Sequence, residues 1–270
     1  MFISSVQSLA VETDPISVQR GAIAQQLAAA SLHHFEALWE LPRQFVEPVN
    51  YRRNGWSAVS IVQLPDDKGG QDRFYLKRQE NQTRHSWRYP EGVLTYRYEV
   101  DALRRAGRQH WPCVEMVAYG FRQVLGQEQG LLLTRAIEYP AMASYRGESM
   151  DWSEVLPQLR TVGERLYAMH CSRWQHGALY PGHLFIDFRS GACQLIDFER
   201  ARRRLTVSAA AESDLSQLLK RCDWMPDIAI NALLSSHIVH LPAVIKSLQS
   251  QFPQRFSKHS QHHEGQRHVR

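Results

Sequence analysis

The sequence predicts an α+β protein of two lobes, the first rich in strands and the second helical. Three observations carry that prediction. Residues 45–64 alternate apolar or β-branched with polar positions around an Asn54-Gly55 turn, as a β-hairpin does. Residues 152–170 set Val155, Leu159, Val162, Leu166 and Met169 along one helical face. Apolar runs before residue 138 are short and bounded by turns, whereas those after it are mostly long and periodic. With 270 residues, 43% hydrophobic and 22% charged, the chain can bury a sizeable core, and one two-lobed domain is the economical arrangement.

Residues 1–44 are set apart as an N-terminal extension. Their start lacks a basic segment ahead of an apolar core, and Glu12 and Asp14 interrupt any apolar run, so no secretory leader is expected. The first lobe takes residues 45–138. After the hairpin, Arg73–Lys77 is a strand. Pro90 and Glu91 are expected to open a helix that runs through Leu103 to a stop at Gly107, with Val93, Val100 and Leu103 on its buried side. Strands at 114–121 and 130–135 complete a β-β-β-α-β-β order. The second lobe takes residues 139–255 and opens with the helix at 152–170. Short strands at 184–186 and 194–196 flank the turn Asp187-Phe188-Arg189-Ser190-Gly191. A helix at 211–221 and a helical stretch at 228–248, broken near Pro242, finish the lobe. Residues 256–270, with His259, His262, His263 and His268, read as a solvated, disordered His-rich tail.

Several function classes are excluded by composition. Cys113, Cys171, Cys193 and Cys222 are too far apart for a zinc knuckle or a disulfide framework, so reduced thiols and a cytoplasmic location are expected. Apolar windows fall short of the roughly 18 residues that a membrane span needs, so any membrane contact would be peripheral. A net charge of +5, with arginines gathered at Arg200, Arg202, Arg203 and Arg204 and around Arg84 and Arg88, suits anionic partners such as sugar phosphates or lipid. A solvated basic face is the plainer alternative. Nucleic acid is not expected, because no aromatic-interleaved or helix-turn-helix signature is present.

The chemistry concentrates in Gln175–Glu199, QHGALYPGHLFIDFRSGACQLIDFE. Asp197 ends a strand, a position suited to holding a metal. The spacing follows the phosphotransferase pattern H-x-D-x-x-x-x-N then D-F-G, with Ala178 where the pattern has its catalytic Asp and His183 where it has Asn. The phrases YLKRQEN, WQHGALYPGHLFID and LIDFERARRR resemble the lipopolysaccharide kinase (InaA) family, relatives of the inner-core heptose and Kdo kinases within the protein-kinase-like superfamily. The likeness covers about residues 50–222, most of the chain.

That resemblance implies a two-lobed protein-kinase-like fold that uses ATP and Mg²⁺. Lys77 would hold the α/β phosphates and Glu99 would orient it. Asp197 would ligate magnesium bridging the β and γ phosphates, and backbone N–H groups after Gly55, at Trp56, Ser57 and Ala58, would cover the phosphates as a nest. Asp214 matches a helix aspartate that buttresses the catalytic loop. Because Ala178 cannot accept a proton, the catalytic candidates are His176, Tyr180 and His183, with His183 also a candidate at the metal. His176 has a structural alternative, a backbone hydrogen bond, and Tyr180 is either a hydrogen-bond donor or a packing ring. Two functions stay open. One is ATP-dependent phosphoryl transfer to a saccharide or lipopolysaccharide-core hydroxyl; the other is a pseudokinase, a nucleotide-binding or scaffold regulator without the catalytic Asp.

Overall fold

A computed structural model describes residues 16–19, 21–52, 54–86 and 88–256. The His-rich tail lies outside them, apart from Phe256. The described chain divides into two compact units. The first holds residues up to Tyr96 together with Met116–Ala136, and the second holds Arg97–Glu115 and residues from Ile137 onward.

In the first unit, β1 (Ser17–Val18), α1 (Ala22–Ala29) and α2 (Phe35–Trp39) precede β2 (Asn50–Arg52), β3 (Gly55–Pro65), β4 (Gln71–Glu80), β5 (Thr83–Ser86) and β6 (Tyr89–Leu94). Next in the chain come α3 (Thr95–Gln109), which crosses into the second unit, then β7 (Met116–Val124) and β8 (Gln127–Arg135). An antiparallel sheet runs in the order β1-β7-β8-β4-β3-β2. Alternation in β3 and β4 turns Val62, Leu64, Phe74 and Leu76 toward one face, where Leu27, Phe35 and Leu38 of α1 and α2 complete the core. That packing explains two helices the sequence pattern did not announce: their apolar stripes are short and gain meaning only against the sheet. Lys77, of opposite parity, faces away from this core, opposite Val59 and Leu132 in register.

Arg78 fastens the strand that carries Lys77. Its guanidinium is buried, donating to the carbonyls of Trp39 and Leu41 at 2.8 Å and to the Ser60 hydroxyl at 2.7 Å. The Trp39 carbonyl is the last of α2 and has no partner within the helix, and that of Leu41 follows just past the C-cap. Burial pulls the guanidinium's pKa below its ordinary value. The buried amide of Gln79 donates to Gln82 and to the Thr95 hydroxyl and accepts from the Tyr96 N–H, so the first turn of α3 is tied to β4.

The expected helix start at Pro90 is corrected. Residues 89–94 form β6, paired with β5 in a separate hairpin. Pro90 lacks the N–H that a central strand needs but an edge position does not. Gly92, at φ 86°, cannot begin a helix comfortably, and Thr95 starts α3 instead, its N–H bonded to the Gln82 carbonyl. Gly107 does not stop the helix either. The left-handed residue is His110, at φ 54°, and Trp111 N–H returns to the Ala106 carbonyl to close the end.

In the second unit, α4 (Leu156–Cys171) is followed by β9 (Trp174–Gln175), the hairpin β10 (Leu184–Asp187) and β11 (Ala192–Leu195), and β12 (Arg202–Arg203) paired with β9. Helices α5 (Val207–Leu219), α6 (Asp227–Leu233), α7 (Ser235–His240) and α8 (Pro242–Gln251) complete it. The expected helical stretch at 228–248 breaks before Pro242 and again at Leu234. Leu159, Val162, Leu166 and Met169 of α4 are buried, while Val155 caps the helix rather than joining the seam. All four cysteines are free thiols, and burial pushes Cys193 and Cys222 up to about 12, far from reactive thiolates.

Candidate functional site

The turn between β9 and β10 holds His176-Gly177-Ala178-Leu179-Tyr180-Pro181-Gly182-His183, and one buried side chain fixes its opening. Asp214 of α5 is fully buried. It accepts the His176 N–H at Oδ2 (2.6 Å) and the Gly177 N–H at Oδ1 (2.8 Å). A charge-assisted pair of this kind holds backbone more firmly than neutral contacts do. Gly177 is required there, because its φ is 81° and a Cβ would meet the Arg200 carbonyl at 2.5 Å.

His176 is wholly buried, and both ring nitrogens are engaged. Nε2 donates to the Ile196 carbonyl at 2.9 Å and Nδ1 accepts from the Ala178 N–H at 3.3 Å. Burial holds its pKa below the usual imidazole range. The ring sits edge-on to buried Phe198, 4.6 Å between centroids. Its visible role is positioning: a neutral imidazole that joins the loop to the residue before Asp197. Ala178 is buried too, so the base position offers neither a polar atom nor an exposed one.

His183 and Asp197 come together. Asp197 Oδ2 lies 3.7 Å from His183 Nδ1. His183 Nδ1 also lies 2.9 Å from the Ala178 carbonyl. A carbonyl can only accept, so Nδ1 carries the proton and Nε2 keeps the function of the ring open. Asp197 sits in the left-handed region at φ 65° and ψ 63°, an uncommon conformation for a residue with a Cβ. Its side chain is 37% exposed and accepts no hydrogen bond among the described residues. An oxygen donor held in a strained backbone, with no hydrogen-bond donor and the His183 ring 3.7 Å away, fits a hard cation with phosphate ligands. Imidazole does not suit magnesium, so His183 fits the phosphates or the acceptor better than the metal. No cluster of three or more metal-ligating side chains occurs among the described residues.

Tyr180 is half-buried and stacks beneath Arg221, whose guanidinium lies 4.0 Å above the ring, with His183 at 5.1 Å on another side. Sequence reasoning missed Arg221. It stands 41 residues downstream of Tyr180, and no spacing rule links the two positions. Asp187 is a turn residue, accepting from the Arg189 N–H and the Ser190 hydroxyl.

In the first unit, Gly55 follows Asn54 at φ 59°, and a Cβ on Gly55 would meet the Glu80 carbonyl at 2.1 Å. A pocket of about 420 Å³ is lined by Tyr51, Arg52, Asn54, Gly55 and Trp56. The nest expected at Trp56, Ser57 and Ala58 is not formed. These are ladder residues of β3, in register with Glu80, Gln79 and Arg78, and successive N–H groups of a strand point in opposite directions. The Trp56 indole donates to Glu80 and packs on Trp39. Lys77 is half-buried, 5.9 Å from the Tyr96 ring centre. Glu99, on α3 within the second unit, is buried.

A further polar chain went unannounced by the sequence. Asp214 Oδ2 also lies 3.2 Å from His170 Nε2, and His170 Nδ1 is 3.0 Å from His237 Nε2, all three side chains buried. Burial and the neighbouring His170 push the His237 pKa down to about 3. In the unfolded chain this histidine titrates near 6.5, so below that pH the unfolded state takes up a proton that the folded state refuses. Stability is therefore full above pH 6.5 and falls as pH drops toward 3, by about 1.4 kcal/mol per unit from this group. His176 acts in the same direction. Urea denaturation between pH 7 and 5 should show that slope, and His237→Gln should make it shallower. An unchanged slope would assign the acid sensitivity elsewhere.

Residues 36–236 match the family model described as Lipopolysaccharide kinase (Kdo/WaaP) family. Protein InaA of Escherichia coli (strain K12) is 28% identical over 204 residues, which is 73% of this chain and 92% of that protein. The solved structure titled WaaP in complex with acyl carrier protein aligns with a TM-score of 0.56 at 14% identity, covering 89% of this chain and 99% of that one. The last likeness is one of fold, and it agrees with the kinase-like α+β class expected from the strand-rich first half and helical second half.

Proposed function

The chain belongs to the lipopolysaccharide kinase (Kdo/WaaP) family, and on that premise we propose that it transfers the γ-phosphoryl of Mg·ATP to a hydroxyl of a lipopolysaccharide-core heptose or related saccharide. Family membership carries the coarser statement, a kinase-like function on lipopolysaccharide. The finer one is supported chiefly by Asp197, a carboxylate without a hydrogen-bond donor, in left-handed backbone just after β11 and beside His183, the last residue of the loop that Asp214 braces.

In this reading Asp197 holds the magnesium ion, which when bound offsets charge on the phosphates. Lys77 neutralises the α/β phosphates and Glu99 fixes the lysine's orientation. Gly55, with the start of β3 at Trp56 and Ser57, borders the nucleotide. His183 Nε2 takes the place of the missing Asp as acceptor of the hydroxyl proton, and Tyr180, with the Arg221 cation over its ring, lines the acceptor. His176 keeps the loop in register. General-base help is worth roughly 10²- to 10⁴-fold, and phosphoryl transfer rests mainly on positioning and electrostatics, so Ala178 lowers the rate without abolishing it. The basic surface would meet the anionic acceptor or the anionic inner face of the membrane; no helix among the described residues is long and apolar enough to cross a membrane.

Titration calorimetry with Mg·ATP tests the reading, followed by a transfer assay on core saccharides. Magnesium-dependent binding that Lys77→Ala weakens at least tenfold is the expected result. Absence of binding by the wild type would overturn the kinase reading. Binding without transfer to any core saccharide would favour the pseudokinase reading, which rests on the buried Ala178 at the base position.

A further inference from the structure

The second unit carries a pocket of about 300 Å³ that shares no residue with the catalytic loop. It is lined by Arg105, Gln109, Trp111, Ser172, Trp174 and Arg203. These come from the last turns of α3 and the loop after it, the end of α4, and the short β9–β12 ladder, in which Arg203 is the cross-strand partner of Trp174. The Arg105 guanidinium lies 5.0 Å over the Trp174 ring, and the other neighbour of Trp174 is Trp111, 5.7 Å away and buried. Trp174 is thus clamped between an arginine and a second indole.

The arrangement leaves two cations facing one small space. Among the described residues no carboxylate pairs with Arg105 or Arg203, and Arg105 is held by stacking instead. Both arginines are exposed, so water solvates them without an acid, and their N–H groups stay available to an anion that enters the pocket. Stacking on indole fixes the plane of a guanidinium while leaving its N–H fork available, the state in which arginine binds an oxyanion bidentately. Because Arg105 and Trp111 already cover Trp174, the pocket recognises charge more than an apolar ring. Gln109 and Ser172 add groups that can bond hydroxyls or ester oxygens. The volume is at the lower end for small-molecule sites and suits one phosphorylated sugar or lipid headgroup.

We propose that this pocket is a second anion site, binding a phosphate group carried by a saccharide or by a lipid headgroup, distinct from the residues of the phosphotransfer reading and not dependent on them. It would hold the ligand whether or not transfer occurs.

The test compares wild type with the double variant Arg105→Gln/Arg203→Gln, both in a Lys77→Ala background to remove phosphate binding at the nucleotide site. Glucose 6-phosphate is titrated by calorimetry, and vesicles of phosphatidylglycerol, against phosphatidylcholine alone, are used in co-sedimentation. Arg189→Gln/Lys246→Gln, which removes two exposed charges elsewhere in the unit, controls for net charge. At least a tenfold loss of either ligand in the double variant, with the control unchanged, is the expected result. Binding of the sugar phosphate alone identifies a saccharide source, and binding of the vesicles alone a lipid one. The proposal fails if neither probe binds, or if the control loses as much as the double variant. Mg·ATP binding by Arg105→Gln/Arg203→Gln with Lys77 intact reports on the fold, and its loss in wild type would defeat the kinase reading while leaving this one standing.

Discussion

Asp197→Asn is expected to lower phosphoryl transfer by on the order of 10³-fold while leaving the melting temperature nearly unchanged. The reasoning turns on what asparagine keeps. Residue 197 lies at φ 65°, and asparagine visits the left-handed region as readily as aspartate, so the backbone between β11 and the following turn is retained. Volume and shape are retained as well. What disappears is the negative charge, and a neutral amide oxygen is a far weaker ligand for magnesium than a carboxylate. Several kcal/mol of metal-derived charge stabilisation go with it, and each 1.4 kcal/mol is about tenfold in rate. Asp197→Ala would confuse the result, because alanine in the left-handed region costs about 1–2 kcal/mol and would shift the loop. The measurement is Mg·ATP titration with a transfer assay beside a melting curve. Retained magnesium-dependent binding and transfer in the asparagine variant would reduce Asp197 to a turn residue.

The strands and helices that carry motif residues were largely legible, because their signals are local. Asn54-Gly55 announces the β2–β3 turn, and strand parity already places Lys77 opposite to Leu76 and Arg78. The α4 seam follows from its period. Pro90 was misread because Pro-Glu opens helices in general, while Gly92 at positive φ and pairing with β5 decided otherwise, and that pairing is a tertiary fact. At the site, Asp214 was recognisable only through the family resemblance, and its two backbone hydrogen bonds agree with the expected buttress. His183 and Asp197 are linked in the sequence by the phosphotransferase pattern, which has metal-site residues at both positions, and in the structure the β10–β11 hairpin returns the chain between them. Arg221 over Tyr180, and His170 beside His237, are contacts across 41 and 67 residues. No propensity or period encodes such pairs; they exist because α4 packs against α7 and the chain just after α5 lies over the loop. The same holds for the Arg105 and Trp174 stack, in which an exposed helix face and a two-residue strand become one pocket.

Removing the buttress should cost stability as well as activity. Asp214→Ala leaves the buried His176 N–H and His170 ring, and the partly buried Gly177 N–H, without their acceptor. An unsatisfied buried donor costs about 1–3 kcal/mol, and breaking a buried charged network costs about 3–5 kcal/mol in all. For a chain of this size each kcal/mol moves the melting temperature by roughly 2–4 °C, so a fall of about 10 °C is expected. Asp214→Asn should not rescue the site fully. Each carboxylate oxygen accepts a different backbone N–H, and an amide has only one oxygen. Whichever way the side chain turns, one N–H then faces the amide's own NH₂. Asparagine should therefore fall between wild type and alanine in stability, with transfer activity low in both variants because the loop bearing His183 is loosened. Calorimetric melting and amide hydrogen exchange at His176 and Gly177 separate these effects. A melting point within about 2 °C of wild type in Asp214→Ala, with both amides still protected, would show that the loop is held by its own turns and by the His176 ring, and that α5 is a neighbour rather than a brace.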